Sequence, residues 1–202
     1  MPYSQGVGSD DKIQHDLSSF LGKEVIITEK MDGENTTFYQ DYFHARSLDS
    51  THHPSRDWVK GLWGKIKHLI PTGWRICGEN LYAQHSIHYE ELSSYFLIFS
   101  IWNDKNECLS WEETIEYATL LNLHTVPVLG KGIFEEKFIK NVVNHLDLKR
   151  QEGIVVRLAD KFHFEDFQKS VVKWVRKNHV QTDEHWMNRA IVPNKLKEKS
   201  DF

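Results

Sequence analysis

Lys30 lies in the heptapeptide EKMDGEN, residues 29–35, directly after the alternating run EVIIT. A free lysine has a pKa near 10.4, so at neutral pH only about one amine in a thousand is the neutral nucleophile. A lysine that attacks therefore needs neighbouring cations or a desolvated setting, both of which favour the neutral form. The segment VVKWVRK, with Lys173, Arg176 and Lys177, is a source of such cations. Gly33 tolerates positive φ and leaves room for an anionic group to approach, while Asp32 either joins the chemistry or only caps the turn. The simpler alternative is that Lys30 is a charged turn residue and Glu29 a strand-end acid.

Four further clusters repeat the arrangement of a strand-like run joined to a few ionisable groups. They are HARS with Arg46, CGEN with Glu79, EGIVVR with Glu152, and VVKWVRK itself. A chain needing only solubility would scatter these charges over its loops. Each cluster is weak alone: a K-x-D-G string arises by chance in roughly one protein in twenty of this length, given ordinary residue usage. Taken in order, they describe strand ends converging on one cleft.

The elements that position them are legible from periodicity. Val25 and Ile27 alternate with Ile26 and Thr28 as in a half-buried strand, and NTTFYQ and YFHARS read as the short strands that follow. HHPSRDWVKGLWGKIKHLIP places Trp58, Val59, Leu62, Trp63, Ile66, Leu69 and Ile70 on one helical stripe, with Ser55 as cap and Pro71 as stop. Lys60, Lys65 and Lys67 cover the rest of that helix, as a solvated face or a nucleic-acid contact. WRICGENLYA and SYFLIFSIW read as strands, the second apolar enough to be central. Ser110 and Glu113 form the S-x-x-E signature of a helix start, and Phe134, Phe138, Val142 and Leu146 mark another amphipathic helix. EGIVVRL and SVVKWVR are strands again. Isolated helices among strands, without βαβ alternation, predict an α+β fold with mostly antiparallel sheets. The expected organisation is a loose segment over residues 1–12, one domain over 13–180 and a polar tail over 181–202, as a short helix with a frayed end.

Composition narrows the classes. The chain has 202 residues, 40% of them hydrophobic and 27% charged, enough for one core. Its net charge of −4 excludes a uniformly basic nucleic-acid binder, so a polyanion must meet a local basic patch. Cys77 and Cys108 lack C-x-x-C pairing, which fits a reduced, cytoplasmic setting without structural zinc. No apolar run reaches about 18 residues and MPYSQGVGSDDK is no secretion leader, so membrane span and export are not expected. The spacings of His52, His53, His85, His88, His163, His179 and His185 make no recognised zinc site and suggest structural or substrate-side roles.

The ordered set EKMDGENTT, FHARSLDS, RICGENLYA, the aromatic strand, EGIVV and the basic strand resembles the covalent nucleotidyltransferase superfamily of polynucleotide ligases and capping enzymes. It is most similar to ATP-dependent RNA ligases, over about residues 25–177. The resemblance implies an adenylyltransferase, ATP-grasp-like ligase domain whose sheets and flanking helices form a nucleotide cleft. It implies ATP and Mg²⁺, with Mn²⁺ as the alternative ion, and RNA ends bearing 5′-phosphate and 3′-hydroxyl, in a nicked duplex, RNA/DNA hybrid or single strand. Lys30 becomes the nucleophile forming lysyl-AMP. Glu29 helps hold adenine, Arg46 the nucleotide sugar or nucleic-acid end, and Glu79 the ribose hydroxyls. Glu152 lies near the metal and the reacting phosphate, since hard Mg²⁺ takes oxygen ligands. Phe96, first aromatic of F-x-x-F, stacks on adenine or is a core residue. Lys173 holds the triphosphate; where the family has Lys-x-Lys this chain has Val175, so Arg176 or Lys177 takes the second basic role. About 25 residues follow Lys177, too few for the second domain of many relatives, so a minimal ligase or one with a partner protein for end recognition is expected. DNA ligation or DNA-end adenylylation, and a silent nucleotide-binding module, are the competing functions.

Overall fold

Apolar alternation builds two antiparallel sheets, and the computed structural model describes them through Met1 and residues 16–46, 52–177 and 190–198. In chain order the elements are β1 (Glu24–Lys30), β2 (Glu34–Phe38), β3 (Phe43–Ala45), α1 (Asp57–Ile66), β4 (Arg75–Asn80), β5 (Phe96–Trp102) and β6 (Glu107–Cys108). They continue with α2 (Trp111–Leu120), β7 (His124–Thr125), β8 (Val128–Ile133), α3 (Glu136–Asn144), β9 (Gly153–Leu158), β10 (Phe162–His163), α4 (Phe167–Ser170) and β11 (Val171–Val175). One sheet has the order β11-β9-β1-β8, and the other runs β10-β6-β5-β4-β2-β3 with β7 beside β5. The β5–β7 pairing is the parallel one among them. The expected α+β class with mostly antiparallel sheets is therefore the observed one.

Two sequence features fix the local structure as expected. Ser110 and Glu113 form a reciprocal capping box at the start of α2. The stripe on α1 buries Val59 and Ile66, with Ile70 just beyond, against the inner face of β2, β4 and β5. That packing contributes roughly 1.5–3 kcal/mol per fully buried side chain. Ser55 does not cap α1: it is buried in a preceding 3₁₀ turn whose N-cap is His53, and Leu69 on the expected stripe is half exposed. The strand β8 was not legible, because Gly130 and Gly132 interrupt it and Val128 and Ile133 stay exposed.

Met1 and residues 190–198 are packed on the domain, whereas residues 2–12 of the expected loose start and 199–202 of the expected frayed tail lie outside the described residues. Met1 is buried in the core of the β1 sheet, and its amine donates to the Lys173 carbonyl at 2.9 Å. Residues 190–198 dock on the 81–95 loop: Asn194, 2% exposed, donates to Leu81 O at 2.8 Å and accepts from Tyr89 N at 2.8 Å. The loop makes few strand pairings of its own, so its buried backbone groups find partners in this segment. Residues 181–189, the first part of the tail in which a short helix is expected, lie outside the described residues. Among the described residues no helix is long and apolar enough to cross a membrane.

Candidate active site

Strand register brings four of the motifs together. Lys30 ends β1 and pairs with Gly153, which in turn pairs with Val175 of β11. Gly153 leaves that row open for a structural reason. A Cβ there would overlap the Trp174 carbonyl oxygen and lie 3.0 Å from Val175 Cα, so only glycine lets β9 and β11 approach this closely. Glu152, 4% exposed, immediately precedes β9, and its Oε2 accepts from Lys30 Nζ at 2.5 Å. Arg176 donates its backbone N–H to the Glu152 carbonyl at 3.0 Å, which seats it beside the pair.

Glu79 closes the cleft from the other sheet. Burial pushes its carboxyl up to about 8; Lys30 pulls the other way, while Glu152 adds to the rise. The backbone N–H of Gly33 bonds the same carboxylate. Gly33 does not have positive φ, contrary to the turn expected. Its need for glycine is steric: a Cβ would sit 2.5 Å from the Asn80 carbonyl oxygen and 3.0 Å from Glu79 Cγ. Asp32 acts as a clasp. Its Oδ2 accepts from Ser86 N at 2.8 Å, Ser86 Oγ at 2.6 Å and Ile87 N at 2.8 Å, tying the lysine turn to the 81–95 loop.

The remaining expected residues divide. Lys173 is exposed on β11 opposite Val155, on the same face of the sheet as Lys30 by alternation and two strands away, roughly 10 Å. Val175 is buried, so the second basic position of the family pattern is apolar here. Arg176 Nε is buried and, among the described residues, has no hydrogen-bond acceptor, as a donor reserved for an anionic ligand would be. Lys177 is exposed. Glu29 faces away from Lys30 by alternation, and its Oε2 accepts from Gln151 Nε2 at 2.8 Å, with burial pushing its carboxyl upward. Its side chain is thereby engaged with Gln151. Arg46 is exposed just past β3; extending the register by one places it level with Asn35, which pairs with Glu79.

Phe96 is a correction. It is fully buried against α1, its ring stacked on Phe38 at 4.3 Å, and a Cβ on Gly78 would meet it at 2.5 Å. It lies on the face of the sheet opposite Glu79 and cannot stack on a nucleotide beside Lys30. Phe99, half-buried on the inter-sheet side with Leu97 and Met31, has the orientation required. Alternation separates Phe96 from Phe99, but which of the two faces the cleft is set by the pairing of Glu79 with Leu97, a register that the sequence does not display.

Sequence reasoning also missed a buried ion pair. Arg56 grips Glu34 with Nε to Oε2 at 2.8 Å and Nη2 to Oε1, bolting the foot of α1 to the first residue of β2. Glu34 ends DGE in the lysine turn, so this pair holds that turn from the side opposite Asp32. The signal in the sequence was an arginine just before an otherwise lysine-rich helix.

Among the described residues no cluster of three or more His, Cys, Asp or Glu forms a metal cage. His179 and His185 lie outside those residues; His53 and His163 cap 3₁₀ turns and His52 pairs with Asp57. A divalent ion here would take Glu152 together with ligand oxygens. Hard oxygen donors and a single buried carboxylate fit that kind of site.

The fold is similar to solved ligases. An RNA ligase from Naegleria gruberi with pyrophosphate superposes with a TM-score of 0.58 at 21% identity, covering 79% of this chain and 51% of that one. An archaeal ATP-dependent RNA ligase gives 0.58 at 17%, covering 80% and 45%. A protein of Aquifex aeolicus provisionally described as an ATP-dependent DNA ligase gives 0.54 at 22%, covering 79% and 46%. Variants of the Naegleria enzyme are solved with ATP and Mn, or with AMP and Mn. The chain spans about half the length of these structures. No curated protein matches the sequence. Residues 23–175 match the RNA ligase family, and the chain belongs to that family.

Proposed function

We propose that this domain is the nucleotidyltransferase of an ATP-dependent RNA ligase. The observation that carries the reading is the Lys30–Glu152 pair at 2.5 Å, with the Glu79 carboxyl beside it, at the meeting of two sheets. In the first step Lys30 Nζ attacks the α-phosphorus of ATP; an N–P bond forms, the bond to the β-phosphate oxygen breaks, and pyrophosphate leaves. Glu152 holds the amine in place and is the nearest base for its proton. AMP then passes from Lys30 to a 5′-phosphate end, and a 3′-hydroxyl displaces it to join the strands.

The other residues act on binding and charge. Lys173 and Arg176 hold the departing phosphates, where the orphaned Arg176 Nε gains an acceptor. Glu79 accepts from the ribose hydroxyls, and Phe99 rather than Phe96 stacks on the base. Arg46, level with Glu79, meets the nucleotide sugar or the incoming end. Bound Mg²⁺ or Mn²⁺, held by Glu152 and phosphate oxygens, would offset charge on the nucleotide. The Glu29 side chain is engaged by Gln151 and its backbone N–H by the Pro127 carbonyl, so neither is the group that meets adenine.

The test is sealing of nicked duplexes with RNA or DNA on the 3′-hydroxyl side, alongside label transfer from α-labelled ATP. The reading expects label on the protein and preferential sealing of RNA. Equal sealing of all-DNA nicks would move the assignment to DNA ligation, and no label transfer at all would leave a silent nucleotide-binding module.

A further inference from the structure

The sheet face that carries Glu79 does not end at the cleft. Register extends it in rows toward the edge strand β3: Glu79 pairs with Asn35, and Cys77 with Thr37, which pairs with His44. One step beyond the paired residues, Tyr39 bonds Tyr42 across the hairpin, its N–H donating to the Tyr42 carbonyl at 2.8 Å. By alternation Asn35, Thr37 and Tyr39 share this face with Tyr42, His44 and Arg46. From Tyr42 to Arg46 the strip is roughly 14 Å long.

Its outer end is an aromatic stack. The Tyr39 and Tyr42 rings are 4.4 Å apart and 12° from parallel; His44 lies 5.9 Å from Tyr39 and 6.1 Å from Tyr42, within 28° of parallel. Tyr42 is 48% exposed. Edge strands usually present charged or β-branched side chains to water, and a flat pile of rings has no such purpose. Arg75 adds a cation close enough to Tyr39 to oppose its rise in pKa, and its guanidinium lies 4.6 Å over Trp102 and 5.9 Å from the half-exposed Phe164. Among the described residues, and apart from Asp41 at the hairpin tip, the strip between Tyr42 and Glu79 carries no carboxylate, although the chain as a whole has net charge −4.

We propose that this strip is the track for an unpaired RNA strand, with bases stacking on Tyr42 and His44 and the backbone passing Arg46 toward Lys30. The proposal rests on the RNA ligase reading and names where the strand lies. Rings with open faces suit bases of any sequence, and cations without competing acids suit phosphates. A paired duplex hides its base faces and fits such a stack poorly.

The test is fluorescence anisotropy of a labelled single-stranded RNA titrated with the whole chain, with self-adenylylation from α-labelled ATP measured in parallel. Tyr42→Ala is expected to weaken RNA binding roughly 5- to 150-fold, the loss of one stacked base. Tyr42→Phe is expected to bind as wild type, and unlabelled duplex of the same sequence to compete poorly. Both variants are expected to melt and self-adenylylate as wild type, since Tyr42 touches neither core nor nucleotide. Undiminished RNA binding by Tyr42→Ala, or equal competition by duplex, overturns the track. Absent self-adenylylation in wild type overturns the ligase reading instead, and the two failures are read in separate assays.

Discussion

Gly153→Ala perturbs the closest strand approach at the site. The added methyl overlaps the Trp174 carbonyl oxygen and lies 3.0 Å from Val175 Cα and 3.1 Å from the Trp174 carbonyl carbon. Carbon atoms prefer about 3.5–4.0 Å, so β11 must recede by at least roughly 0.5–1 Å. Overpacking of this kind costs about 1–3 kcal/mol, and weakening one or two ladder bonds adds about 1 kcal/mol each. A loss of roughly 3 kcal/mol lowers the melting temperature of a chain this size by about 6–12 °C. The same movement shifts Lys173 and the Arg176–Glu152 contact away from Lys30. A misplacement near 1 Å costs about 100-fold in rate. Calorimetry and single-turnover label transfer from ATP measure the two effects. A variant that melts and reacts as wild type would refute the claim that Gly153 sets the approach of β9 and β11.

Three more outcomes follow from the geometry. Glu79 ionises near 4.5 when unfolded and about 8 when folded, so the native state binds the extra proton between those values and loses stability as pH rises through that window. Glu79→Gln should therefore melt like wild type near pH 4.5 and above it near pH 8, by roughly 2 kcal/mol once partial solvent contact is allowed for; a pH-independent difference in denaturant titrations contradicts this. Asp32→Ala strands the donors of Ser86 and Ile87 and should destabilise by roughly 2–4 kcal/mol in thermal melts, whereas an exposed turn aspartate would cost almost nothing. Phe99→Leu should weaken ATP binding by calorimetric titration with little change in melting, and Phe96→Leu should do the reverse by opening a cavity beside Phe38; the opposite pattern returns the stacking role to Phe96.

Much of the site was legible because it is written at strand ends. Lys30, Glu79 and Arg176 close or follow an apolar strand-like run and Glu152 immediately precedes one, and periodicity locates such ends well. What stayed hidden depends on contacts between distant segments. The face that Phe96 takes follows from the cross-strand pairing of Asn80 with Phe96, and the Glu34–Arg56 pair joins residues whose relation appears only when α1 crosses β2. The reason for Gly33 changed from dihedral freedom to close packing, since a sequence shows where glycine is but not what lies 2.5 Å from its missing Cβ. The docking of residues 190–198 was invisible for the same reason: Asn194 is polar by type and buried by partnership. β8, broken by glycines and half solvated, lacks the alternation that a strand reading requires.

The central claim is that Lys30 becomes covalently joined to AMP. Incubation with α-labelled ATP and a divalent ion, followed by a chelator quench, proteolysis at mildly alkaline pH and tandem mass spectrometry, tests it directly. The account predicts an alkali-stable, acid-labile AMP adduct, as a phosphoramidate must be, on the peptide carrying Lys30, absent in Lys30→Ala and not formed from GTP. An adduct on another residue, or one that persists in Lys30→Ala, would contradict it.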